Sequence, residues 1–130
     1  MFHQPAPLVV HLDPEQTAPV VARRALQQLL GDASAPFQLT SDALLLTSEI
    51  VTNATMVGAA CEMSAWYLPD TGDLRVEVFD RSPVVPTLPP HRDPHAISGR
   101  GLRIVDSVAS KWGIDPQDDG KYVWFELRSH

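Results

Sequence analysis

Glu49 and Asn53 stand four residues apart in the stretch SEIVTNA, residues 48–54, inside an otherwise apolar run. Positions four apart on a helix differ by only about 40° around its axis, so the carboxylate and the carboxamide share a face. Those two groups suit phosphoryl transfer. An amide oxygen is a neutral ligand for Mg2+, which favours oxygen donors, and a carboxylate one turn away can take the proton of an attacking hydroxyl. The plainer alternative is a Glu–Asn pair on a solvated helix edge, since helix flanks are normally polar.

Two further stretches offer complementary chemistry. In LRVEVFD, residues 74–80, strand alternation sends Leu74, Val76 and Val78 to the core and Asp80 with them. A carboxylate on an apolar face needs donors. It either caps the turn into Ser82 and Pro83 or accepts a hydrogen bond from a ligand N–H such as an exocyclic amine. In SGRGLRIVDSVASKWG, residues 98–113, Gly99 and Gly101 bracket Arg100 immediately before a helix. Free N–H groups and the helix dipole favour an anion there, although a glycine turn needs no ligand. Taken together, the three stretches suggest a nucleotide site. Asp80 would face the base, Gly99 and Gly101 the phosphates, and Glu49 and Asn53 the metal and the chemistry.

The elements that must position these residues follow from periodicity and turn signals. Pro7–Leu12, with Leu8, Val9 and Val10, suggests a first strand. Asp13, Pro14 and Glu15 read as a helix start, with Val20, Val21, Ala25, Leu26, Leu29 and Leu30 at helical spacing and Gly31 as the stop. A second helix is expected from about Thr40–Asp42 to Gly58, with Leu39, Ala43, Leu46, Ile50, Ala54 and Val57 as its apolar stripe. Residues 61–68 and 74–79 read as a hairpin around Pro69–Gly72. Residues 81–98 carry five of the chain's twelve prolines, a density that marks a long loop of the kind that often forms a lid. A third helix should follow Gly101, showing Leu102, Val105, Val108, Ala109 and Trp112 on one face and ending at Gly113. The last strand is expected at 121–127. The order strand, helix, helix, strand, strand, loop, helix, strand, strand predicts an α+β fold, three helices on one face of a mixed, mostly antiparallel sheet.

Composition narrows the function classes. At 130 residues the chain is read as one domain, 1–130, with ordinary hydrophobic (44%) and charged (20%) content. A net charge of −6 with scattered basic residues argues against a nucleic-acid or anionic-membrane surface. No apolar run approaches the roughly 20 residues of a membrane span, the N-terminus lacks a secretory pattern, and a cytoplasmic protein is expected. One cysteine, Cys61, excludes an internal disulfide or a multi-thiolate site. His91 and His95 lack a third ligand and read as solvated loop residues.

The segments LLLTSEIVTNA, LRVEVFDRSPVVP, GRGLRIVDSVASKWGI and GKYVWFEL, in this order and spacing, resemble the actinobacterial anti-sigma-factor serine kinases and their small ATP-binding relatives of the GHKL superfamily. The likeness covers about residues 15–127. It implies a two-layer Bergerat-type sandwich that binds Mg-ATP under a lid at about 81–98. It also implies Glu49 as base, Asn53 as the Mg2+ ligand, and a nucleotide-binding set of Asn53, Asp80, Ser82, Gly99, Arg100, Gly101 and Leu102. The expected activity is phosphorylation of a serine on an anti-sigma-factor antagonist, regulating transcription by exchange of that antagonist and a sigma factor as partners. Homodimers are common in such kinases. Three positions depart from the family pattern: Met56 and Val57 replace a basic pair, and Tyr122 replaces a threonine expected to help secure adenine. The alternative function is a non-catalytic module, with or without ATP, that sequesters a sigma factor or antagonist.

Overall fold

The computed structural model describes residue 2 and residues 4–56, 58–81 and 97–128, with the backbone alone described at 97–100. Eight elements follow in the order β1 (Leu8–Leu12), α1 (Ala18–Asp32), α2 (Phe37–Met56), β2 (Cys61–Leu68), β3 (Asp73–Asp80), α3 (Ile97–Val108), β4 (Lys111–Gln117) and β5 (Gly120–Leu127). The strands form one sheet in the order β1-β2-β3-β5-β4, and all four pairings among the described residues are antiparallel. The helices form the second layer. α1 packs on β1 and β2, α2 on β2, β3 and β5, and α3 on α2 and β4. The expected α+β sandwich is what forms.

The core lies between the layers. Ala22, Leu26 and Leu30 of α1 and Leu39, Ala43, Leu46, Ile50 and Ala54 of α2 meet Met63, Ala65, Leu74, Val76, Val78 and Phe125 from the sheet. Period-3.6 and period-2 apolar positions thus face each other, as the sequence pattern requires. The opposite sheet face carries charged and aromatic side chains. Arg75 pairs with Glu77 (2.7 Å) and Glu126 (2.6 Å), and its guanidinium lies 4.1 Å from the centre of the Trp124 ring.

Helix boundaries differ from the sequence reading for local reasons. α1 begins at Ala18, a turn later than Asp13–Glu15, which form successive turns instead. A helix begun at Asp13 would place Pro19 inside it, where the missing N–H breaks the ladder; starting at Ala18 puts Pro19 in the first turn, where no bond is lost. Gly31 does not stop α1. The helix closes further on, with Ser34 N donating to Gly31 O and Ala35 N to Leu30 O, and Ser34 takes the left-handed conformation (φ 55) usually given to glycine. α2 begins at Phe37 because Pro36 sets its entry and accepts from Thr40 N. α3 begins at Ile97, so Gly99 and Gly101 lie within its first turns rather than before it. Trp112 and Gly113 belong to β4, not to α3. Gly113 lies opposite Trp124, and a Cβ there would come within 2.7 Å of the indole ring, so the glycine serves strand packing rather than helix termination. The proline-rich loop lies outside the described residues apart from its ends.

Candidate active site

α2 presents Glu49 and Asn53 on the flank of its buried stripe, both half-buried. The first turns of α3 press against them. A Cβ added to Gly101 would stand 3.1 Å from Glu49 Oε2, 3.2 Å from Asn53 Nδ2 and 3.4 Å from Asn53 Oδ1. The absence of a side chain at 101 is therefore what lets the α3 backbone approach the carboxylate and carboxamide so closely. Both polar atoms of the Asn53 side chain are buried without a hydrogen-bond partner. Nearly all buried polar groups in proteins find a partner in protein or water, so an orphaned carboxamide calls for one. Beside it, Ser48 Oγ accepts from Arg23 Nη1 of α1 at 2.7 Å, bracing α2 from its other side. Leu102 is wholly buried and contributes packing.

A second polar group sits at the end of the sheet. Asp80 is fully buried on the helix-facing side, as the alternation of β3 predicts. It receives the ammonium of Lys121 at 2.8 Å, and Lys121 is itself only 4% exposed. Cys61, Asp80 and Lys121 occupy one row across β2, β3 and β5. Burial, and after it the Asp80 charge, pushes the Cys61 thiol up to about 11. Gly120 fixes this row, because a Cβ there would overlap the Asp80 carbonyl oxygen. α2 lies across β3 and β5, so the helix of Glu49 and Asn53 packs on the strands of Asp80 and Lys121.

The structure thus joins Glu49, Asn53 and Gly101 in one cluster and Asp80 with Lys121 in another. Gly99 and Arg100 enter only as backbone of the first α3 turn, and Ser82 and Val57 lie outside the described residues. Met56 is exposed. Tyr122 corrects an expectation. It pairs with Phe79 on the opposite sheet face, ring centres 4.8 Å apart, and does not wall the space around Asp80. The residue at that wall is Lys121. Its role was readable in principle, since Lys121 heads the inward-facing series Val123, Phe125, Leu127. A cleft of about 620 Å3 opens at the same sheet end, bordered by His11, Cys61, Glu62, Phe79, Arg81 and Tyr122, but it contains none of Glu49, Asn53 and Asp80.

Among solved structures, the RsbU and RsbW domains of Rv1364c from Mycobacterium tuberculosis superpose with a TM-score of 0.71 at 22% identity, over 93% of this chain and 31% of that one. The fold is RsbW-like. A chain of the SiaB–SiaC complex from Pseudomonas aeruginosa superposes with a TM-score of 0.62 at 14% identity, over 95% of this chain and 91% of that one. This chain spans less than a third of the first of these structures. At such identities the RsbW-like relationship is one of fold. No family model and no curated protein matches the sequence.

Proposed function

We propose that this protein is a Mg-ATP-dependent serine kinase of the anti-sigma-factor type, acting on a serine of an antagonist protein and exchanging it with a sigma factor. The observation that carries the reading is the Asn53 carboxamide, buried without a partner beside Glu49 and under the bare Cα of Gly101. That arrangement fits a hydrated divalent cation. Asn53 Oδ1 is a neutral oxygen donor of the kind Mg2+ accepts alongside its waters. Mg-ATP, when bound, supplies the phosphoryl group. Glu49 would take the proton of the attacking serine hydroxyl on a carboxylate oxygen, and the first turn of α3, which includes Gly99, would offer N–H groups to phosphate. Asp80 would accept from the base amine.

A second reading, a binding module without phosphotransfer, is favoured by the engagement of Asp80 with Lys121. Two measurements separate them. Mg-ATP at a hundred times its dissociation constant should raise stability by about 2.7 kcal/mol. With labelled ATP and a cognate antagonist, wild type should transfer label, whereas Glu49→Gln should bind Mg-ATP normally and lose at least about a hundredfold in transfer rate. Binding without transfer selects the second reading, and equal transfer by Glu49→Gln removes Glu49 as the base.

A further inference from the structure

The kinase reading assigns Asp80 to a nucleobase amine, yet that carboxylate already holds an ammonium. Lys121 Nζ donates to Asp80 Oδ1 at 2.8 Å, and the two side chains are 4% and 0% exposed. The contact is built into the sheet. Asp80 and Lys121 face each other in the β3–β5 register, and the neighbouring residue must be glycine, because a Cβ there would overlap the Asp80 carbonyl oxygen. Lys121 shares its side with the buried Val123 and Phe125, so its stem and ammonium lie on the helix-facing side of β5.

We propose that Lys121 is an internal occupant of the base-reading end, holding the Asp80 carboxylate until a nucleotide displaces it, and that this residue therefore sets the affinity of the site. The proposal rests on the reading of Asp80 as acceptor for a base amine. Both donors meet an ionised acceptor, but the ammonium adds a charge–charge attraction that a neutral exocyclic amine lacks. Exchanging one for the other leaves the ammonium without its counter-charge in a dry interior, which weakens net binding. A small neutral residue at 121 removes that competition.

Calorimetric titration of Mg-ATP into wild type, Lys121→Thr and Lys121→Gln tests this. Either folded variant should bind at least about tenfold more tightly, equivalent to about 1.4 kcal/mol. Binding equal to or weaker than wild type overturns the occupant role and leaves the nucleotide reading standing. Absence of binding by all three proteins at millimolar ATP overturns both. Removing the cation also takes a charge partner from a buried carboxylate, which can prevent folding, so the intact protein provides a second readout. Lys111 and Lys121 are the only lysines in the chain, and only Lys121 is buried. In wild type saturated with Mg-ATP, the Lys121 Nζ resonance should shift while that of Lys111 stays. A Lys121 resonance unmoved at saturation refutes displacement.

Discussion

A buried carboxamide with neither end paired is costly at the residue level, about 1–3 kcal/mol for each unsatisfied group. Asn53 bears that cost in the ligand-free protein. Replacing it with an apolar side chain should therefore separate stability from function. Asn53→Leu is expected to leave the thermal midpoint unchanged or raise it, by up to about 1 kcal/mol of stability, while abolishing the stabilisation by Mg-ATP. A variant that melts lower and still responds to Mg-ATP would show the carboxamide to be structural. Cys61 gives a second residue-scale expectation. Its ordinary value is 9.0 and the fold raises it to about 11, so the native state prefers the neutral thiol. The stability so contributed is complete below pH 9 and is lost as pH rises toward about 11. Urea midpoints of wild type and Cys61→Ala across that range should show wild type declining further, with the comparison cancelling the titration of other groups.

At the scale of elements, the glycines show how position decides meaning. The sequence places Gly99 and Gly101 before a helix, but α3 takes them into its first turns, and Gly101 is needed for close approach to α2. Gly113 reads as a helix stop but lies in a strand against an indole. Gly120 is the closest-packed of these, against the Asp80 carbonyl. Gly120→Ala should cost about 2–3 kcal/mol, because β3 and β5 would have to part where both are anchored. Thermal or urea unfolding measures this directly. A loss near zero would mean that this end of the sheet yields freely, and it would weaken the case for a fixed Asp80–Lys121 register.

Across the whole molecule, the layers and the strand sequence were legible because apolar periodicity is strong in α2, β2, β3 and β5. Residues 61–68 match β2 without adjustment, and the burial of Asp80 follows from alternation alone. The helix ends were less legible. Pro19 displaced one start, and Ser34 took a conformation that composition assigns to glycine. β4 was obscured because KWG continues the helical spacing of α3, and only its pairing with β5 makes it a strand. In the candidate site, Glu49, Asn53 and Asp80 were visible as residue types in unusual places. The partner of Asp80 is less visible, because the family pattern points to Tyr122 whereas the β3–β5 pairing turns the adjacent Lys121 inward.

The strand order leaves β1 and β4 as the two flanks of the sheet. An exposed backbone ladder on such a flank invites a foreign strand to dock. β1 is entered through Pro5 and Pro7, and β4 carries Pro116, which has no N–H to offer, together with Lys111 at its start. The β4 margin is thus chemically blunted, and growth of one molecule onto the next by shared pleating is disfavoured there.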